Sequence, residues 1–261
     1  MVRGDDAERA GPGAADGRLR GRAPSGTPPH APSPSPTARP PEDWKVPVPH
    51  AIVLGSIGTL AETSELQRHA FDEAFQEAGL PWRWDAATYR TLLGRSGGRA
   101  RIEAYAAERG DTVDADALHA AKSRHFQRAL ADAQLPLRGG VGALLAAAAE
   151  RGVPVALATS TSAANVDGIL RATGLTRDRF AAVVDRSMIA HAKPAPDAFL
   201  EALHRLGIRA DEAVAVEDNP DGARAALEAG LRCLVRPGEA HEATAFPDAA
   251  ERVEDLVAAV S

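Results

Sequence analysis

The chain has 261 residues, 44% hydrophobic and 25% charged, with a formal net charge of −6 and a sequence pI near 5.8. That balance is ordinary for a globular protein and excludes binding to nucleic acid through bulk charge, which needs clustered Lys and Arg. No apolar run is long enough to span a bilayer, and the lone cysteine, Cys233, excludes an internal disulfide and fits a reducing cytoplasm.

Residues 1–43 hold nine of the nineteen prolines and almost no large apolar side chains. Such a segment cannot bury enough surface to offset the entropy of ordering and reads as a disordered tail. Asp5, Asp6, Glu8 and Asp16 argue against a transit peptide. The folded body starts near Trp44. Ala51 to Leu54 reads as a buried strand, and Thr63 to Ala78 repeats Leu66, Ala70, Phe71 and Phe75 at helical spacing. Helical segments near 86–94, 97–109 and 114–132 follow without a strand between them. Strands at 153–158, 181–184, 213–216 and 232–235 then alternate with helices at 162–173, 196–206 and 219–229.

Strand–helix alternation predicts an α/β fold with a doubly wound parallel sheet, a Rossmann-like core covered on both faces. The all-helical interruption reads as an inserted cap. The expected domains are a tail at 1–43, a core at 44–62 and 136–261, and a helical cap at 63–135. Cys233, in the apolar run Leu231 to Val235, reads as a core residue rather than a reactive thiol.

Ligands of open α/β sheets bind beyond the carboxyl ends of the strands. The first strand is followed by Gly55-Ser56-Ile57-Gly58-Thr59-Leu60-Ala61-Glu62-Thr63, and the second by Thr159-Ser160. The third leads to Lys193-Pro194-Ala195-Pro196-Asp197, and the fourth to Glu217-Asp218-Asn219-Pro220-Asp221-Gly222. Each has a bland reading. Thr159 could cap a helix, Lys193 could be solvated, and Glu217 and Asp218 could favour a helix N-terminus. Jointly, hydroxyl, lysine and acids at successive strand ends describe a site for phosphate and a divalent cation.

In this order, with a helical insertion after the first strand, the motifs resemble the haloacid-dehalogenase-like superfamily, over residues 50 to about 236. Lys193-Pro194-Ala195-Pro196-Asp197 and Glu217-Asp218 followed by Gly222 are similar to its phosphatase and phosphomutase branch. Thr59 to Thr63, Ala70 to Phe75, Trp82 to Asp85 and Gly97 to Ile102 resemble the CbbY-like sugar-phosphate phosphatases. The resemblance implies phosphate contacts from Thr159, Ser160, Lys193 and backbone N–H groups around Gly58. It implies substrate contacts from Glu62, Tyr89, Gly98 and Arg99, and metal ligation by Glu217 and Asp218. Tyr89 has the alternative of packing inside the cap, and Arg99 that of a solvated helix residue. Trp82 and Trp84 read as packing anchors, His191 as a surface residue.

The family's first motif, Asp-x-Asp-Gly-Thr, carries the nucleophile and the general acid/base. Here those two positions read Gly55 and Ile57. Glycine has no atom to attack phosphorus and isoleucine no proton to give, so both covalent and acid–base catalysis are lost. The same loss removes a magnesium ligand and weakens an expected Mg2+ site. Where relatives carry histidine near the cap hinge, this chain has Gln67, and Ser56 is a poor replacement nucleophile because neighbouring residues at a strand end point oppositely.

The expected function is a catalytically impaired pseudoenzyme that still binds a small phosphorylated metabolite. It has no nucleic-acid or membrane partner, and its protein partners are unknown. The alternatives are a divergent active phosphomonoester hydrolase and a regulatory or structural protein without a small ligand.

Overall fold

The computed structural model describes residues 49–55, 57–94 and 97–261. The 1–43 tail and Ser56 lie outside the described residues. Strand β1 (Ala51–Leu54) runs through a short helix, α1 (Ile57–Leu60), into four helices. These are α2 (Ser64–Glu77), α3 (Ala86–Leu92), α4 (Gly98–Arg109) and α5 (Ala115–Asp132). The chain continues as α6 (Val141–Glu150), β2 (Val155–Ala158), α7 (Ala163–Ala172), β3 (Ala182–Val184) and α8 (Asp197–Leu206). It ends as β4 (Ala213–Glu217), α9 (Pro220–Glu228), β5 (Arg232–Val235), β6 (Glu251–Arg252) and α10 (Leu256–Ala259).

The six strands form one parallel sheet in the order β3-β2-β1-β4-β5-β6. Val53 of central β1 lies opposite Ala156 on one side and Ala215 on the other. The connections reverse direction between β1 and β4, so the crevice beyond those two strand ends is where this fold places ligands.

Side chains alternate across the sheet and divide the core in two. On one face Ile52, Leu54, Val155, Leu157, Val214, Val216 and Leu234 cluster with Leu144, Ile169 and Leu256 of α6, α7 and α10. Each such aliphatic side chain contributes about 1.5–3 kcal/mol on burial, so this face supplies the larger share of the apolar stabilisation. The opposite face is small: Ala51, Ala156, Ala158, Ala213 and Ala215 lie under Phe199 of α8 and Ala223 and Ala226 of α9. Fully buried Cys233 sits in this layer, as its apolar neighbours implied.

Helices α2 to α4, with the loop before α3, hold a third cluster around Phe71, Phe75, Trp82, Trp84, Tyr89 and Ile102. The Trp84 ring lies 4.7 Å from Phe71, and the Trp82 ring meets Phe75 edge-on at 5.2 Å. Trp82 Nε1 donates to Asp111 at 2.9 Å. Both tryptophans are therefore packing anchors. The helix starts are written locally: Asp85 accepts from the Thr88 N–H at 2.7 Å and Asp114 from the Ala117 N–H at 2.9 Å. Gly110, at φ 71°, ends α4 in the left-handed conformation that favours glycine.

Helices α1, α6 and α10 and the two-residue β6 did not stand out in the sequence. Helix α6 reads Val-Gly-Ala-Leu-Leu-Ala-Ala-Ala-Ala-Glu, and alanines give little contrast between a buried and an exposed face. The other three are four residues or shorter, below the length at which periodicity is visible. Among the described residues no helix is long and apolar enough to cross a membrane.

Candidate functional site

The ends of β1 and β4 bring Gly55 beside Glu217, the last residue of β4. Glu217 is fully buried. Its Oε1 accepts from Lys193 Nζ at 2.6 Å, and its Oε2 from the Asp218 N–H at 3.1 Å and Asn219 Nδ2 at 3.2 Å. A Cβ on Gly55 or on Gly222 would lie within 3.0 Å of this carboxylate, closer than real Cβ atoms come. The Glu217 side chain therefore occupies a slot between two glycines, one of them a position where the resemblance expects an aspartate. Burial pushes its carboxyl up to about 7, against the opposing pull of Lys193 and with a smaller push from Asp218.

Lys193 is committed to the same cluster. Besides Glu217, its ammonium donates to the Ala158 carbonyl at 2.9 Å and to the Gly55 carbonyl, and it sits 4.3 Å from the centre of the Phe199 ring. An ammonium has three N–H donors, and here each has a protein acceptor. Thr159 is buried, and its hydroxyl oxygen accepts from the Thr161 N–H at 3.2 Å. The Ser160 hydroxyl oxygen accepts from the Lys193 N–H at 2.9 Å. Thr159, Ser160, Lys193 and Glu217 thus meet at the strand ends, as their positions implied, but none of them lines the adjoining cavity.

That cavity, of about 390 Å³, lies between the sheet ends and helices α2 to α4. On the core side it is lined by Ile57, Gly58, Asp218 and His241, and on the helical side by Glu62, Gln67, Tyr89 and Arg101. Asp218 Oδ1 accepts from Thr59 Oγ1 at 3.1 Å and from Asn219 Nδ2 at 3.2 Å. Its Oδ2 lies over Gly58, where a Cβ would again fall within 3.0 Å of it. An anion approaching the backbone there meets a carboxylate. Glu62 uses one oxygen for the Ser64 N–H and hydroxyl, at 2.9 and 2.6 Å, and the other for the Glu239 N–H at 3.2 Å. It ties the start of α2 to the loop after β5 while still facing the cavity. Burial holds the His241 imidazole below its ordinary range, with Asp218 and Glu62 pulling the other way.

Tyr89 is buried, and among the described residues its hydroxyl has no hydrogen-bond partner. Burial pushes that phenol up to about 12. Arg101 Nε donates to the Leu92 carbonyl at 3.0 Å, and the guanidinium lies 5.5 Å from the centre of the Tyr89 ring. Burial lowers its pKa. Behind Gln67, buried Lys122 donates to Gln67 Oε1 at 3.0 Å and rests over the Phe126 and Phe71 rings at 4.7 and 5.0 Å. Burial, reinforced by Arg101, brings its ammonium down to about 7.

Two residues expected at the substrate lie elsewhere. Arg99 is exposed and paired with Asp116 at 2.6 Å and Glu103 at 2.9 Å. Gly98 does not line the cavity; a Cβ there would meet His119 at 2.8 Å, so the glycine permits close packing of α4 on α5. Arg101, two residues beyond Arg99, points about 200° further round the helix and reaches the cavity instead. Arg101, Lys122 and His241 were not singled out from the sequence. A signal for Lys122 was present, because it falls at four-residue spacing between Leu118 and Phe126 on a buried stripe of α5. Surface His191, paired with Asp197 at 3.1 Å, is as expected.

Residues 50–230 match the family model described as haloacid dehalogenase-like hydrolase. Protein CbbY of Cupriavidus necator is 42% identical over 199 residues, 72% of this chain and 78% of the relative. CbbY of Cereibacter sphaeroides is 41% identical over 194 residues, 72% of this chain and 84% of the relative. Among solved structures, a mutant of CbbY from Rhodobacter sphaeroides in complex with xylulose-(1,5)bisphosphate superposes with a TM-score of 0.72. It is 38% identical and covers 79% of this chain and 94% of its own. A complex of the same protein with phosphate also gives a TM-score of 0.72, at 38% identity, covering 79% of this chain and 93% of its own. With the parallel sheet and its strand-end motifs, these matches establish that the chain belongs to the haloacid dehalogenase-like hydrolase family, as a relative of the CbbY sugar-phosphate phosphatases.

Proposed function

We propose that this chain is a non-hydrolysing member of its family that binds a phosphorylated sugar in the cavity between its core, 44–62 and 136–261, and its helical cap, 63–135. The observation that carries the reading is the buried Glu217 carboxylate in the space a side chain on Gly55 would need, held there by Lys193. In this reading Gly55 and Ile57 stand where the family has its two catalytic aspartates. The strand ends then lack a nucleophile, and the gap is closed by an ion pair rather than left open to substrate.

Hydrolases of this family generally use magnesium, and the side chains as arranged do not fit it. Glu217 is buried against an ammonium, which leaves Asp218 as the metal-type ligand of the pair that faces the cavity. Among the described residues, no three His, Cys, Asp or Glu side chains are grouped to hold a metal ion. These points support a weakened magnesium site, and no step of this reading passes through the metal.

Support for a ligand comes from the cavity itself, lined by Asp218 and His241 on the core side and by Glu62, Gln67, Tyr89 and Arg101 on the helical side. The CbbY relative binds a phosphorylated five-carbon sugar, and the same ligand class is assigned to this chain.

The test is a magnesium-dependent phosphatase assay on a panel of sugar phosphates, paired with thermal-shift binding. The expected result is negligible hydrolysis with ligand-dependent stabilisation, as mass action requires of a native-state site. Turnover on the order of one per second or faster would overturn the assignment.

A further inference from the structure

Resting on the ligand class proposed above, we infer that His241 is a specificity-determining contact of the cavity, its imidazole bonding a hydroxyl of the sugar. The residue closes a short turn after β5, Glu239–His241, and lines the cavity from the core side.

The backbone leading to His241 is fixed from several sides. The Arg236 N–H donates to the Glu217 carbonyl and the Gly238 N–H to the Asp218 carbonyl, each at 2.9 Å. The Arg138 guanidinium donates to the Arg236 carbonyl at 3.1 Å, to the Pro237 carbonyl at 2.5 Å and to the Gly58 carbonyl at 3.2 Å, which ties this segment to α1. The Glu239 N–H donates to Glu62 Oε2 at 3.2 Å, and the His241 N–H to the Gly238 carbonyl at 2.8 Å. A side chain on so restrained a turn is placed before any ligand arrives, which lowers the ordering cost of binding.

The imidazole at its end is unspent. Among the described residues neither ring nitrogen of His241 has a hydrogen-bond partner, and neither is sealed from solvent as the Tyr89 hydroxyl is. Other polar side chains on the wall are engaged. Glu62 uses both oxygens, on the Ser64 and Glu239 N–H groups. Gln67 places its oxygen on the Lys122 ammonium at 3.0 Å and its amide nitrogen on the Thr63 hydroxyl at 3.1 Å. Burial favours the neutral form of the His241 ring, which has one N–H donor and one acceptor nitrogen. A sugar hydroxyl likewise donates and accepts, so the two can satisfy each other. A phosphate dianion only accepts and would leave the bare ring nitrogen without a partner.

The test uses the full chain at pH 8 with EDTA. Calorimetry compares xylulose 1,5-bisphosphate with pentane-1,5-diol bisphosphate, which carries the same two phosphates on a five-carbon chain without hydroxyls. Wild type is expected to prefer the sugar bisphosphate by at least about tenfold. His241→Ala is expected to lose about tenfold in affinity for the sugar bisphosphate and to hold the diol bisphosphate within about twofold of wild type. A second measurement does not depend on that variant. In wild type carrying isotope-labelled histidine, the His241 ring signals, identified by their absence from His241→Gln, move when the sugar bisphosphate is added. Equal wild-type affinity for the two ligands overturns the inference, and so does undiminished sugar bisphosphate binding by His241→Ala. An equal loss for both ligands in that variant makes His241 an anion contact instead, and ring signals unmoved at saturation exclude it from the ligand. Each of these outcomes leaves the proposed function standing, because the sugar phosphate still binds. Absence of binding by both ligands to wild type overturns both.

Discussion

Replacing Lys193 with methionine separates a structural ion pair from an anion receptor. In the structure this removes the ammonium that holds Glu217 at 2.6 Å and also serves the Ala158 and Gly55 carbonyls. A buried pair broken by deleting one partner costs about 3–5 kcal/mol, because the remaining charge is buried and uncompensated. For a folded body of this size each kcal/mol moves Tm by about 2–4 °C, so a fall of roughly 6–20 °C is expected near pH 8. The loss has a pH signature. Burial already raises Glu217 to about 7, and Lys193 is the group pulling it down, so the variant's carboxyl titrates higher still. A carboxyl whose folded pKa lies above its unfolded value gives stability that is complete below the unfolded pKa. That stability is lost as pH rises through the folded one. The variant should therefore lie closer to wild type at pH 5 than at pH 8. Adding Glu217→Gln should recover most of the deficit at pH 8. Thermal and urea unfolding of the three proteins at both pH values measures this. A Tm at pH 8 within about 2 °C of wild type, or a deficit equal at both pH values, would refute the reasoning.

Lys122→Met should stabilise the protein at neutral pH. The Lys122 ammonium falls to about 7 from 10.5, so wild type gains stability as pH rises between those values and the variant does not. The difference approaches roughly 3–5 kcal/mol below pH 7, and urea melts at pH 6 and pH 10 that show equal differences would count against it. Gly55→Asp alone should destabilise by about 1–3 kcal/mol through overpacking against Glu217. Adding Glu217→Ala to it should recover stability, because the new carboxylate can take the Lys193 ammonium; a double variant worse than Gly55→Asp would contradict this. Tyr89→Phe should raise unliganded stability by about 1 kcal/mol, since it removes a buried hydroxyl with no partner, and a loss in denaturant melts would point to an acceptor.

The order of strands and helices, the parallel sheet and the strand-end clustering of Thr159, Lys193, Glu217 and Asp218 were legible in the sequence. They rest on local signals: the helical spacing of apolar residues, short apolar runs at the strands, and the rule that strand ends carry the site. Cys233 was legible for the same reason, being a small residue in the apolar run Leu231 to Val235, and the tryptophans as large apolar side chains at a turn. The orientations within the site were not. From Gly55 and Ile57 alone, an empty strand end and a free Lys193 were equally consistent. Only the tertiary structure brings Glu217 into the gap, because that depends on two glycines, Gly55 and Gly222, from segments far apart in sequence. Likewise, Arg99 and Arg101 both stand in the stretch that resembles the family. Which one faces the cavity was decided by the packing of α4 against Phe71, Tyr89 and α5, which turns Arg99 to Asp116 and Arg101 inward. Local chemistry specifies which groups gather at a strand end. Their division into paired and ligand-facing charges is set by long-range contacts that no sequence window contains.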